Sequence, residues 1–509
     1  MKKLPIGIQD FRALRQGEYL YVDKTELIFQ LADQGKYYFL SRPRRFGKSL
    51  LVSTLKELFQ GNKELFEGLW IEDKWDWEEA YPVIHISYND VGYKELGLRE
   101  AIKKALTHNA ESHGISLEEE SISLRFKELI HKLSAKNRVV LLIDEYDKPL
   151  IDFINDPDLL DKNREILREF YSVIKSADPY LQFVLLTGVS RFSKVSIFSD
   201  LNNLNDITID PNFSSLCGYT QQELEHSFAD RIEALAQKQG IEKSVLLEQV
   251  KTWYNGYSWL GKERLYNPFS VLNFFQKEVF QNYWFATGTP NFLIEVLKKG
   301  FHFNLDELEA GEAQLGVLNL PDPDYRSLLF QTGYLTIKER PHPLYYVLGY
   351  PNKEVKSSLL QFLVEAYSFR EEGFPLALKI SRALEAGDTE KFISILNSLF
   401  AAIPEKIFRQ RNEAAYHAIV YTTLSLMGCY IDAEVSAGDG IVDAVVKTRD
   451  FIYVIEFKYG EPPESALQQI REKKYAEPFR NDGRELRLVG ISFGKEVKGV
   501  TGWEEEVMV

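Results

Sequence analysis

Residues 39–53 read Phe-Leu-Ser-Arg-Pro-Arg-Arg-Phe-Gly-Lys-Ser-Leu-Leu-Val-Ser, and no other stretch constrains the chain as much. An apolar strand end gives way to a turn, and Gly47-Lys48-Ser49 then opens a helix with Leu50, Leu51, Leu55 and Leu58 on one face. Backbone N–H groups at such a helix start cradle phosphate oxygens. A lysine there reaches the terminal phosphates, and the serine hydroxyl can ligand Mg²⁺. The pattern departs from the common phosphate-loop spacing at its first glycine, which is Arg42 here, so the turn must form without a free left-handed residue at that point. By itself Gly-Lys-Ser is equally a plain helix start.

A second stretch changes that balance. Arg138-Val-Val-Leu-Leu-Ile-Asp-Glu-Tyr-Asp147 holds five consecutive apolar residues, as in a strand buried on both faces of a parallel sheet. It ends in Asp144-Glu145 at the carboxyl edge, where open α/β sheets bind ligands. Beside a phosphate loop, Asp144 would hold Mg²⁺ and Glu145 would polarise the attacking water. The plainer alternative is an acidic cap on a buried strand. A third apolar run, Leu181–Leu186, ends in Thr187-Gly-Val-Ser-Arg191; Thr187 is placed to sense the γ-phosphate and Arg191 to meet developing charge, or the two serve as an edge cap and a surface pair. Strands near 37, 82, 139 and 182 alternate with helical segments, the signature of an α/β parallel sheet.

Composition narrows the class. Hydrophobic residues make up 45% and charged residues 27% of 509, as in an ordinary globular protein. A net charge of −14 provides no global basic field, so any nucleic-acid surface must be local. Cys217 and Cys429 have no metal-ligand spacing and suit a reducing compartment as small buried residues. No apolar run approaches the ~18 residues of a membrane span, and the N-terminal lysines precede no long apolar core, so a cytoplasmic protein is expected.

From Asp210 the texture changes. Thr220 and Glu223 form a capping box. Trp253–Tyr257, Tyr266–Pro268 and Trp284–Gly288 are aromatic and turn-rich, most simply core at helix junctions. Residues 328–337 and 345–348 suggest a small β element, 98–133 a helical stretch, and 354–430 mostly helices. Then Asp443-Ala-Val-Val and Phe451-Ile-Tyr-Val-Ile-Glu456-Phe-Lys458 read as two strands of a hairpin turning at Arg449-Asp450. Glu456 and Lys458 share one strand face. Asp443 and Glu456 can hold a hard cation, and Lys458 beside it can stabilise or deprotonate an attacking water. Glu-X-Lys alone would be a surface pair on an edge strand.

Together, Tyr21-Val-Asp-Lys-Thr25, Arg42-Pro-Arg-Arg-Phe-Gly-Lys-Ser49, Leu141-Leu-Ile-Asp-Glu-Tyr-Asp147 and Leu186-Thr-Gly-Val-Ser-Arg-Phe-Ser-Lys-Val-Ser-Ile-Phe-Ser199 resemble the bacterial and archaeal AAA-ATPase-like family. Its members usually carry a C-terminal nuclease-type domain of the PD-(D/E)XK superfamily, which Gly440, Asp443, Glu456-X-Lys458 and Gln469…Tyr475 resemble in turn. Ile441 stands where that family often has a basic residue.

The resemblance implies an α/β protein in three parts: a P-loop ATPase domain over 1–209, a mainly helical middle over 210–350, and a restriction-endonuclease-like domain over 351–509. It implies ATP and Mg²⁺ as cofactors, with Mn²⁺ as a substitute at the nuclease-type site. Arg45, Phe46, Gly47, Lys48, Ser49, Leu50, Asp144, Thr187 and Arg191 would bind the nucleotide, with Ser49 and Asp144 on its metal and Glu145 as base. Glu413, Asp443 and Glu456 would hold the second metal and Lys458 would join them in catalysis. Nucleic acid is the expected partner, a membrane is not, and an oligomer is compatible with the chain. The rival reading is a nucleotide-operated switch whose C-terminal domain binds nucleic acid or a protein without cutting.

Overall fold

Every residue of the strand Val139–Asp144 is buried, as its unbroken apolar run demands. It is β3 of a five-stranded sheet with β1 (Tyr37–Ser41), β2 (Val83–Ser87), β4 (Leu181–Gly188) and β5 (Asn205–Asp206), in the order β2-β3-β4-β1-β5. All neighbours run parallel. The helix Lys48–Phe59 packs on β2, β3 and β4, and Leu98–Ser112 and Ile122–Ser134 cover β2 and β3. The single helical stretch expected over 98–133 is therefore two helices. Gly114, at φ +71°, turns the chain between them, and the acidic run 118–120 lies in that connection.

This computed structural model describes residues 1–191, 203–284, 293, 296–297, 305–315, 323–368, 373–401, 413–428, 434–436, 442–494 and 497–508, with backbone alone at 367–368, 373–374, 413–415 and 434–436. Two compact units emerge: Met1–Ala286 with Glu307–Asn352, and Thr287–Asp306 with Lys353–Val509. Most of what the sequence marks off as a middle region thus falls in the same unit as the parallel sheet.

In that first unit, helices Gln221–Ser227, Ala229–Gln239, Lys243–Tyr254 and Pro268–Lys277 enclose a core of Phe228, Ile232, Val250, Tyr254 and Phe274. The Thr220–Glu223 capping box forms as expected. The aromatics Tyr254, Tyr257, Trp259, Tyr266 and Trp284 are buried rather than presented as a stacking surface. A small antiparallel sheet, β6 (Leu308–Gly311), β7 (Thr336–His342) and β8 (Tyr345–Gly349), follows in the order β6-β8-β7. Only part of the β element expected from residue 328 onward is β. Tyr325–Thr332 is a helix, capped by Asp324, whose side chain accepts from Arg326 N, and stopped by Gly333 at φ +89°.

The second unit holds β9 (Glu434–Ser436), β10 (Ala444–Lys447), β11 (Phe451–Tyr459), β12 (Glu485–Phe493) and β13 (Val500–Met508), ordered β13-β12-β11-β10-β9. β10 and β11 form the expected hairpin, with Lys447 opposite Ile452 across Arg449-Asp450. β11 and β12 are parallel, and the helix Pro463–Glu472 that links them lies on both. The apolar helix Glu413–Gly428 packs on β9 and β11. Cys217 is buried; Cys429 lies outside the described residues.

Candidate functional sites

In the first unit the carboxyl ends of β1, β3 and β4 meet. Arg45 (φ +63°) and Gly47 (φ +99°) supply the left-handed turns of the phosphate loop, so the missing first glycine is not needed at Arg42. Nothing lies within 4 Å of where a Cβ on Gly47 would sit, which leaves the helix N-terminus open to a ligand. Lys48 is buried and donates to the carbonyls of Arg42 (2.8 Å) and Pro43 (3.0 Å). Burial pulls its ammonium below the usual lysine range, and Asp144 and Glu145 oppose that shift. Ser49 Oγ donates to Asp144 Oδ2 at 2.6 Å and Thr187 Oγ1 to Asp144 Oδ1, so one buried carboxylate joins helix, β3 and β4.

Glu145 follows at φ +54°, a conformation that non-glycine residues adopt at a cost and that clusters at working sites. Its carboxylate lies 3.7 Å from Lys148 Nζ, which also donates to Asn89. Asp147, which the sequence gave no reason to single out, is buried and accepts from the N–H groups of Val189 (3.0 Å) and Ser190 (2.6 Å). Burial pushes its carboxyl up to about 6. Tyr146 donates to Ser190 O, and Gly188 lies against both side chains. A Cβ at Gly188 would sit 2.5 Å from the Tyr146 ring and 2.8 Å from Asp147 Oδ1. Gly188→Ala is expected to cost about 1–3 kcal/mol of stability by overpacking, read from the denaturant midpoint of unfolding.

The other loop residues turn into the protein. The Arg42 guanidinium is fully buried over Trp259 (4.4 Å) and donates to the carbonyls of Ser41, Thr208 and Phe213. Burial lowers it to about 10, with Cys217 and Asp206 opposing the shift. Arg45 stacks on Phe269 (3.9 Å) and donates to Tyr283 O and Trp284 O, while Phe46 packs edge-on against Tyr257 and Trp259. Arg191 pairs with Asp206 at 2.6 Å and lines a cavity with Arg42, Trp259 and Gln331, the plainer of its two expected roles. Phe192–Ser199 lie outside the described residues. A separate cleft adjoins Phe46, Gly47 and Leu50, lined by Leu20, Tyr21, Val22, Cys217 and Tyr219.

In the second unit Asp443, just before β10, accepts the Phe457 N–H at 2.7 Å through Oδ2, which sets it beside Glu456 of β11. Lys458, two residues on, donates to Glu456 Oε1 at 3.3 Å and to Gln469 Oε1 at 2.6 Å. Gln469 in turn donates to Glu456 Oε1 and lies 3.5 Å from the Tyr475 hydroxyl. Glu456 is 4% exposed, and its Oε2 is buried with no hydrogen-bond partner among the described residues. Burial, with Asp443 adding to it, pushes the Glu456 carboxyl up to about 7. Glu413 opens its helix, but its side chain, like Gly440 and Ile441, lies outside the described residues. One turn along the same helix stands His417, its Nδ1 3.5 Å from Asp443 Oδ1, a neighbour the sequence did not flag. Its spacing of four residues from Glu413 was the available signal.

A family model for a predicted AAA-ATPase matches residues 5–198, and one for the PD-(D/E)XK nuclease superfamily matches residues 411–503. An Azotobacter chroococcum mcd 1 protein, known as "Uncharacterized protein in vnfD 5'region", is 40% identical over 529 residues that span 99% of both chains. The chain belongs to the AAA-ATPase-like family with a C-terminal PD-(D/E)XK nuclease superfamily domain.

Both matched regions suit their groups chemically. In the AAA-ATPase-like domain, the open N-terminus at Gly47 and the hydroxyl–carboxylate pair Ser49–Asp144 suit a phosphate and its hard cation. In the nuclease-superfamily domain, Glu456 Oε2, without a hydrogen-bond partner among the described residues and beside a second carboxylate, suits a divalent ion, although no three described His, Cys, Asp or Glu side chains are gathered tightly enough to hold one as they stand. No helix among the described residues is long and apolar enough to cross a membrane.

Proposed function

We propose that this protein hydrolyses ATP in its first unit and that its second unit is a metal-dependent nuclease acting on nucleic acid. The observation that carries the reading is the hydrogen-bonded junction Ser49–Asp144–Thr187 at the open end of the phosphate loop, with Glu145 next in sequence. The triphosphate would lie along the N–H groups opening the helix Lys48–Phe59. Lys48 would exchange the Arg42 and Pro43 carbonyls for phosphate oxygens. Ser49 and Asp144 would hold the Mg²⁺ that neutralises charge on the phosphates. Glu145 would take the proton of the attacking water, and Thr187 would orient toward the γ-phosphate from β4. The base would lie toward the cleft beside Gly47 and Leu50 that Leu20, Val22 and Tyr219 line. Arg191, engaged by Asp206, contributes only where nucleotide binding frees it.

At the second site Asp443 and Glu456 would hold the cation, which supplies Lewis acidity toward a phosphodiester. Lys458 would deprotonate or stabilise the attacking water, and Gln469 keeps Lys458 and Glu456 in register. The switch reading, in which this domain binds without cutting, draws support from Ile441, which stands where the family often has a basic residue. One assay separates the two: phosphate release from ATP, and cleavage of single- and double-stranded DNA and RNA, each with Mg²⁺ and with Mn²⁺. ATP turnover with no cleavage under any condition leaves the switch; no turnover removes the ATPase.

The acidity of Glu456 gives a pH signature. Its carboxyl titrates near 4.5 in an unfolded chain and near 7 here, so in the metal-free fold it keeps its proton through that window and loses it above. Stability of the metal-free protein therefore falls as pH rises from about 4.5 to about 7, and a bound cation offsets that loss. Below pH 7 a proton competes with the cation, costing about tenfold in metal affinity per pH unit. Calorimetric titration with Mn²⁺ should give tighter binding at pH 8 than at pH 6. Equal affinities would show that Glu456 is not a ligand.

A further inference from the structure

We propose that Arg44, in the middle of the phosphate loop, is a catalytic residue that meets the negative charge developing on ATP during hydrolysis; the assignment rests on the ATPase reading of the first unit. In that reaction the water oxygen bonds to the γ-phosphorus and the bond from that phosphorus to the β–γ bridging oxygen breaks. One water proton passes to Glu145, and the bridging oxygen takes the bonding pair and leaves with ADP. A cation on that oxygen or on the γ-oxygens stabilises the transition state more than the ground state. The other cations around the loop are committed elsewhere. Arg191 pairs with Asp206 at 2.6 Å, and Lys148 lies 3.7 Å from Glu145 and donates to Asn89. Arg42 is buried on the carbonyls of Ser41, Thr208 and Phe213, and Arg45 lies on Phe269 and donates to Tyr283 O and Trp284 O. Of the loop's three arginines only Arg44 is exposed, and its guanidinium engages no acceptor or ring among the described residues.

The side chain stands on a fixed base within reach of the phosphates. Lys48 Nζ, which would hold the terminal phosphates, lies 3.0 Å from Pro43 O, and one peptide unit separates that carbonyl from the Arg44 Cα. The Arg44 Cα is therefore within about 6 Å of the Lys48 ammonium, and an extended arginine stem spans about 6 Å, so both cations can meet on one triphosphate. The backbone here is held from behind. Arg44 O accepts from Trp284 Nε1 at 3.2 Å, and Pro43 packs so closely on Gly333 that a Cβ there would sit 2.6 Å from Pro43 Cβ. An arginine left in solvent loses rotamer freedom when it docks, which offsets its contribution to ATP binding. Its effect is therefore concentrated in turnover, where the charge it meets is largest.

Phosphate release and fluorescent-nucleotide titration on the full-length protein test this with Arg44→Ala and Arg44→Lys. ATP affinity should stay within about threefold of wild type while turnover of Arg44→Ala falls about 1,000-fold, the scale of a removed arginine in phosphoryl transfer. Arg44→Lys keeps the charge without the planar fork and should recover only part of that loss. ADP with aluminium fluoride and Mg²⁺, which imitates the γ-phosphoryl group in flight, should bind Arg44→Ala at least about tenfold more weakly than wild type. A merely structural role would not move that affinity at an unchanged denaturant midpoint. Wild-type turnover in Arg44→Ala, or a loss of ATP affinity that accounts for the whole fall, overturns the assignment and leaves the ATPase reading standing. Turnover restored by mixing Arg44→Ala with Glu145→Gln places the arginine on a neighbouring copy's nucleotide and overturns its role within its own loop. Wild-type protein that neither binds nor hydrolyses ATP removes the ATPase reading itself.

Discussion

Glu145→Gln is expected to bind ATP with near wild-type affinity and to hydrolyse it about 100-fold or more slowly, the loss that follows removal of a general base. The geometry separates Glu145 from its neighbour. Asp144 is buried and spoken for by two hydroxyls, Ser49 and Thr187, so its oxygens already define where a metal would bind. Glu145 is only partly buried, and its carboxylate meets Lys148 at 3.7 Å while remaining in reach of solvent. Its backbone at φ +54° aims the side chain off the line of β3, and that aim is held by Tyr146 N–H on Thr187 O and by Lys148 N–H on Glu145 O. Glutamine has the same shape and suffers the same backbone strain, so unfolding stability should not change and the rate loss can be read as chemistry. Asp144→Asn should instead weaken Mg²⁺-dependent nucleotide binding. Steady-state phosphate release with fluorescent-nucleotide titration distinguishes them, and identical behaviour of the two variants would dissolve the division of roles.

Much of this site was legible because the segments that build it are extreme in sequence. A strand covered on both faces must be apolar throughout, and Val139–Ile143 is; a carboxylate at its end stands out against that run. The Glu456-X-Lys458 pair was legible for the same reason, and the hairpin turn at 449–450 fixed which strand lies beside it. What escaped notice depends on contacts distant in sequence. Nothing local says that Arg42 is buried over Trp259, 217 residues on, or that Arg45 reaches the carbonyls of Tyr283 and Trp284. Those contacts make the phosphate loop part of one packed unit with the segment after Asp210, which composition alone set apart as a middle region. The helix Tyr325–Thr332 was missed because Leu-Leu-Phe-Gln-Thr is as apolar as a strand, and its Asp324 cap decides the matter only once the turn before it is known. Asp147 lay in plain view, yet its function of holding the end of β4 depends on Val189 and Ser190, 42 and 43 residues away.

Lys458→Ala is expected to retain divalent-metal binding and to abolish cleavage of nucleic acid, whereas Asp443→Ala loses both. The two side chains enter the site differently. Asp443 is fixed by the Phe457 N–H and stands beside Glu456, whose weakened acidity reflects burial first and the proximity of Asp443 second. Two carboxylates so placed repel unless a proton or cation lies between them, so removing one removes the reason for a cation to bind. Lys458 carries the opposite charge and donates to Glu456 Oε1 and Gln469 Oε1. Its loss leaves both carboxylates in place and, by withdrawing a competing cation, should hold metal at least as tightly as the wild type. Cleavage should nonetheless fall about 100-fold or more, because the group that handles the attacking water's proton has gone. Calorimetry with Mn²⁺ reads the first quantity and single-turnover cleavage the second. If Lys458→Ala lost metal binding along with Asp443→Ala, Lys458 would be holding the carboxylates together rather than acting on water. If neither variant altered cleavage, the activity would belong to a contaminant.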